Sequence, residues 1–125
     1  MQTEGGLVVP VVRGCDSRSL DELRSDIDAL AEKAHTGTLA SEDLRGSTFT
    51  VTSAGKLAGV LATPLVNYPE VGILGVHRIG LRAVVRDGEI VARRIGNISV
   101  TFDHRVVDGA RAAEFTLAVI RRLEH

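Results

Sequence analysis

Between Gly96 and Phe102 the chain alternates. Ile98, Val100 and Phe102 fall on one side and Asn97, Ser99 and Thr101 on the other, which is the period of two of a half-buried strand. From Gly109 to Arg122 the period changes: Ala112, Ala113, Phe115, Val119, Ile120 and Leu123 share one broad stripe, so an amphipathic helix follows within a few residues. A second helix is predicted from Ser19, where Ser19-Leu20-Asp21-Glu22 forms a capping-box pattern. It presents Leu20, Leu23, Ile27, Leu30, Ala31 and Ala34 on one face, turns Arg24, Asp26, Asp28, Glu32 and Lys33 to water, and stops at Gly37.

The other stretches read as strands and turns. Leu7 to Val12 is a continuous apolar run whose Pro10 predicts a strand near an edge, followed by a loop over Gly14 to Ser17. Ser41 to Leu44 reads as one helical turn, Ser47 to Ser53 as a strand, and the glycine-broken stretch from Ala54 to Gly59 as a loop. Asn67-Tyr68-Pro69-Glu70 is a turn, and Val71 to Ile79 a buried strand in which His77 is structural or exposed rather than catalytic. Leu81 to Arg86 and Glu89 to Arg94 flank Asp87-Gly88, the pair favoured for a tight hairpin because both positions tolerate positive φ. Six strands and two long helices predict an α/β fold, a two-layer mixed β-sheet with helices, in which the helix between the first two strands permits a parallel crossover.

Composition narrows this picture. The 125 residues, 44% of them hydrophobic, suffice for one core. A net charge of −1 with scattered basic residues, and few aromatics, lack the stripe and stacking platforms of a nucleic-acid binder. Cys15 is the only cysteine and no apolar run is long enough to span a bilayer, which together predict a soluble, reducing compartment. Neither G-x-x-x-x-G-K-[ST] nor G-x-G-x-x-G occurs, and no metal site is predicted. The start shows no export signal; Leu123-Glu124-His125 reads equally as the opening of a histidine tag and, through Leu123, as the end of the helical stripe.

Candidate chemistry lies where the alternating run meets the last helix, at Asp103-His104-Arg105-Val106-Val107-Asp108-Gly109. Asp108 is a good helix N-cap, and Asp103, Arg105 and Asp108 together also read as a surface ion-pair cluster. The stretch resembles the D-H-R-x-x-D-G signature of the dihydrolipoamide acyltransferases, the E2 components of 2-oxo acid dehydrogenase complexes. Four further blocks match in order: Gly5 to Arg13, Gly46 to Thr52, Thr63 to Asn67 and Ile73 to Val76.

That resemblance implies the coenzyme-A-dependent acyltransferase fold, with this chain as the C-terminal portion of a catalytic domain about twice as long. It also implies transfer of an acyl group between coenzyme A and a dihydrolipoyl thiol. A free thiol has a pKa of about 8.5 and imidazole about 6.5, so a histidine suits the thiol proton near neutral pH. By resemblance His104 is that general base. Thr52, with Ser53 as the fallback, donates to the oxyanion. Asp108 steadies the catalytic loop, Arg105 makes a charge-assisted hydrogen bond beside it, and Asp103 and Gly109 complete the support.

The implied assembly is a homotrimer that builds a cage, with sites between subunits. Its partners are a lipoyl domain absent from this chain and the E1 and E3 components, in a bacterial cytoplasm or a mitochondrial matrix. No nucleic acid or membrane is implied, and the residues that bind coenzyme A are not identified. Two alternatives stand beside this reading: a non-catalytic assembly fragment of the E2 core, and an enzyme resembling chloramphenicol acetyltransferase.

Overall fold

The computed structural model describes residues 1–53, 55–57 and 59–124. The chain divides into two units, Met1–Ser47 and Thr48–His125.

The first unit is built on one helix. Strands β1 (Gln2–Thr3) and β2 (Gly6–Leu7) make a minimal antiparallel hairpin. Helix α1 (Leu20–Thr36) opens on the expected capping box: the Ser19 hydroxyl accepts from the Glu22 amide while the Glu22 carboxylate accepts from the Ser19 amide. It closes on Gly37 at φ 69°, whose amide donates to Ala34 and Lys33 carbonyls. Of the predicted apolar face, Leu30 and Ala34 are buried and Leu20 is exposed. Short 3₁₀ turns span Cys15–Ser17 and Ser41–Leu44, the first where a loop was expected.

The strand predicted over Leu7 to Val12 does not form beyond Leu7. Pro10 has no amide hydrogen, and the Val11 amide donates to the Asp43 carbonyl at 2.8 Å instead of to a sheet neighbour. Arg13 spans the same gap, its Nη2 donating to the Glu42 and Arg45 carbonyls at 2.8 Å each. The segment is thus held by a 3₁₀ turn, and among the described residues it pairs with no later strand.

The second unit carries a three-stranded mixed sheet in the order β3 (Thr50–Ser53), β4 (Gly72–Val76), β7 (Ile98–Phe102). Strands β3 and β4 are parallel, β4 and β7 antiparallel. The parallel pair is joined by the segment between them, in which the described residues form a 3₁₀ turn at Gly55–Leu57 and no α-helix. The predicted loop from Ala54 to Gly59 becomes that turn; Ala54 and Ala58 lie outside the described residues, as does His125 with the tag reading of the C-terminus. Ile73 and Leu74 of β4 are buried, as expected of a central strand.

Register sorts the sheet into two faces. Val51, Leu74 and Val100 share a row on the apolar face, on the side of Phe49 and Phe102. Helix α2 (Gly109–Leu123) follows β7 and lies against it, and its Phe115 meets Phe49 edge-on at 5.5 Å. The opposite face carries the rows Thr50, Ile73, Thr101 and Thr52, Gly75, Ser99. Strands β5 (Gly80–Arg86) and β6 (Glu89–Ile95) form a separate two-stranded hairpin around Asp87-Gly88, at φ 52° and 83°.

Candidate active site

The seven-residue junction forms a tight, internally bonded turn. The Asp103 amide donates to the Val71 carbonyl at 2.9 Å, and the Asp103 carbonyl accepts from the Val106 and Val107 amides at 3.0 and 2.9 Å. The Asp103 carboxylate accepts from the Arg105 amide at 3.0 Å and from the Arg105 guanidinium, with Nη2 at 2.6 Å and Nε at 2.9 Å. The guanidinium first, and then that amide, pull the Asp103 carboxyl down to about 2. Arg105 was expected beside Asp108; its partner is Asp103 instead, because a two-residue separation within the turn closes the bidentate geometry.

His104 projects from this turn and is exposed, its ring 5.5 Å from that of Phe102 and tilted by 46°. Asp108 is the N-cap of α2: its Oδ1 accepts from the Arg111 amide at 2.8 Å and its carbonyl from the Ala112 amide at 3.1 Å. Gly109 is the first residue of the helix. The histidine is therefore fixed on one side by the strand end and on the other by a helix start.

Thr52 lies on β3, exposed, and makes no side-chain hydrogen bond among the described residues. Ser53 points to the other face, and its Oγ accepts from the Gly55 amide at 3.1 Å. The structure does not bring Thr52 and His104 together within the chain. Thr52 is in register with Gly75 and, beyond it, Ser99, whereas His104 follows Phe102 at the far end of β7. Two strand spacings and three residues along the strand put Thr52 about 14 Å from Phe102.

Two polar pairings were not foreseen from the sequence, although His77 was expected to be structural or exposed. His77 is buried at 5% exposure, with Nε2 2.9 Å from Ser99 Oγ, and Ser99 donates to the Ala62 carbonyl at 2.9 Å. Because that hydroxyl gives its hydrogen to Ala62, the His77 ring is the donor to Ser99. Glu70 is buried at 6%, its Oε2 accepting from Thr50 Oγ1 at 2.6 Å. Neither pairing has a local signal, since the partners are 22 and 20 residues apart. Among the described residues, no three His, Cys, Asp or Glu side chains are placed to hold a metal ion, and no helix is long and apolar enough to cross a membrane.

The mixed sheet thus ends in a D-H-R-x-x-D-G turn that is capped into a helix. The chain belongs to the family described as 2-oxoacid dehydrogenases acyltransferase (catalytic domain), whose model matches residues 1–125. It is 48% identical over 124 residues to the lipoamide acyltransferase component of the branched-chain α-keto acid dehydrogenase complex of Pseudomonas aeruginosa, covering 99% of this chain and 29% of that protein. It is 47% identical over 121 residues to the dihydrolipoyllysine-residue acetyltransferase component of the Bacillus subtilis pyruvate dehydrogenase complex (97% and 27%). Identity is 44% over 122 residues to the succinyltransferase component of the 2-oxoglutarate dehydrogenase complex of Bartonella vinsonii subsp. berkhoffii (98% and 30%).

Solved structures agree on the fold. A dihydrolipoamide acetyltransferase of Azotobacter vinelandii, studied for the role of a serine, a histidine and an asparagine in its catalytic mechanism, matches with a TM-score of 0.87 at 42% identity, over 94% of this chain and 49% of that one. The cubic core of a pyruvate dehydrogenase multienzyme complex matches with a TM-score of 0.86 at 42% identity, over 93% and 48%. The chain thus spans less than a third of those curated relatives and about half of those solved cores.

Proposed function

We propose that this chain supplies His104 and Thr52 to acyl-transfer sites of a 2-oxo acid dehydrogenase E2 core, moving an acyl group between coenzyme A and a dihydrolipoyl thiol. The observation that carries the reading is the exposed His104 on a turn tied at both ends, with a hydroxyl on the same sheet, that of Thr52, uncommitted among the described residues. His104 accepts the proton of the attacking thiol and returns it to the departing thiolate once the tetrahedral intermediate collapses. Thr52 donates to the oxygen that carries the negative charge between those events. No covalent acyl-enzyme is needed. Coenzyme A and the lipoyl group enter as substrates, the second on a carrier domain.

The Azotobacter enzyme supports these assignments. Its serine and histidine are separated by the same number of residues as Thr52 and His104, and its asparagine follows the histidine by four, where Asp108 stands here. The separation of Thr52 from His104 within one chain favours sites that take one group from each of two neighbouring subunits, in a trimer that builds a cage. Relatives named for branched-chain, acetyl and succinyl transfer stand at similar identity, so the proposal is for acyl transfer as a class. E1, E3 and a lipoyl domain are the partners that such a core serves, in the bacterial cytoplasm or the mitochondrial matrix.

The test is acetyl transfer from acetyl-coenzyme A to free dihydrolipoamide by this chain and by a form extended to the length of the solved cores, each beside its His104→Ala variant. His104→Ala should lose about 10²- to 10⁴-fold in rate while keeping its circular dichroism. Equal rates would remove His104 from the chemistry. Activity confined to the extended form would make the present chain an assembly piece of the enzyme.

A further inference from the structure

Glu70 is a carboxylate in an unusual position: buried, directly ahead of the central strand, and without an ion pair among the described residues. Burying a carboxylate is unfavourable unless hydrogen bonds replace its water. Here Thr50, a residue 8% exposed, donates its hydroxyl to Oε2 at 2.6 Å, and Asn67 Nδ2 reaches Oε1 at 3.5 Å. The Glu70 amide donates to the Asn67 carbonyl at 2.8 Å, which closes the turn that delivers the chain into β4. An apolar side chain would fill the same space with no desolvation penalty, so packing alone does not account for this residue.

Its connections do. On one side, Thr50 belongs to β3 and lies two residues before Thr52, on the same face of the strand. On the other side, the next residue is Val71, whose carbonyl accepts from the Asp103 amide at 2.9 Å. Asp103 in turn holds Arg105, Val106 and Val107 and so shapes the turn from which His104 projects. One continuous run of bonds therefore joins the strand of Thr52 to the turn of His104, and Glu70 stands in the middle of it.

We propose that Glu70 is a positioning residue for acyl transfer, its buried carboxylate tying β3 to the Val71 carbonyl and thereby setting where His104 stands relative to Thr52. This rests on the reading of those two residues as the acyl-transfer groups. If each serves a site shared with a neighbouring subunit, their spacing within one chain must match the geometry of the ring. A slack link would leave both groups present and neither aligned.

Three variants of the active, assembled enzyme test this: Glu70→Ala, Glu70→Gln and Thr50→Val. Glu70→Ala and Thr50→Val should lower kcat by about ten- to a hundredfold, the loss expected of misplacement by about an ångström, with KM for acetyl-coenzyme A within about twofold. Glu70→Gln should recover most of the rate, because its amide oxygen still accepts from Thr50. Amide hydrogen exchange gives a readout independent of activity. In Glu70→Ala the Asp103, Val106 and Val107 amides should exchange at least about tenfold faster, while Val84 and Val91 in the separate hairpin hold their protection. Unchanged exchange in the turn, a defect in KM alone, or failure of Gln to restore the rate would each overturn the proposal. Faster exchange in the turn together with undiminished transfer by His104→Ala would instead keep the tie and overturn the function assigned to His104.

Discussion

Thr52 and His104 stand at opposite ends of one three-stranded sheet, Thr52 level with Gly75 and Ser99 and His104 beyond Phe102. On the proposed reading, a site that uses both draws them from different subunits. Mixing inactive Thr52→Ala and His104→Ala proteins, unfolding them together and reassembling them should therefore restore transfer. In a cyclic trimer mixed at random, about one site in four receives an intact pair, so about a quarter of wild-type activity is expected. Recovery no higher than the residual activity of the separate variants would show that the two residues do not complete one site.

The hydroxyls of Thr52 and its neighbour Ser53 differ in their commitments. Ser53 already accepts from the Gly55 amide and faces the helix side, whereas Thr52 is exposed and uncommitted among the described residues. Thr52→Ala should lower kcat by about 10²-fold with little change in coenzyme A affinity, the signature of a lost oxyanion donor. Ser53→Ala should leave kcat close to wild type. Steady-state kinetics with equilibrium binding separates the two.

The Asp103–Arg105 pair has a defined pH signature. The folded carboxyl sits at about 2, below its ordinary 3.8, chiefly through the Arg105 guanidinium. A depressed folded value means that the link contributes to stability above about pH 4 and loses that contribution as acid takes the pH down through about 2. In Arg105→Ala, carbonyl NMR of Asp103 should show the carboxyl titrating closer to 3.8. A midpoint still near 2 in that variant would assign the shift to the turn backbone instead.

Asp108 does its visible work as a helix cap. Asp108→Ala should destabilise the fold by about 1 kcal/mol in urea denaturation, and Asp108→Asn by much less, since an asparagine oxygen also accepts from the Arg111 amide. If activity follows the same order, the residue acts through the helix start. A rate loss in Asp108→Asn without a stability loss would give the carboxylate a part in the reaction itself.

The features legible in the sequence were those decided locally. Ser19 and Glu22 cap each other across three residues, Gly37 ends the same helix, and Asp87-Gly88 turns its own hairpin. The Asp108 cap belongs with them, since it bonds the Arg111 amide three residues on, whereas Arg105, expected beside Asp108, pairs with Asp103. What could not be read depends on partners far along the chain. Leu7 to Val12 has the composition of a strand, yet strands form only beside a neighbour, and Val11 found a turn carbonyl instead. Likewise His77 and Glu70 look like any polar residue at a strand's edge until Ser99 and Thr50 arrive to satisfy them.

The central strand β4 lacks a side chain once on each face. At Gly72 an added methyl carbon would sit 3.2 Å from the Phe49 ring; at Gly75 it would sit 2.7 Å from Ser99 Oγ, beside the His77 ring. The first neighbour is an aromatic edge that can swing, the second a hydroxyl committed in two directions. During descent these positions would not drift alike. Gly72 can enlarge after a modest change at Phe49, but Gly75 is barred until Ser99 has shrunk and His77 has found another acceptor, so the order in which mutations arrive decides which histories are open to this strand.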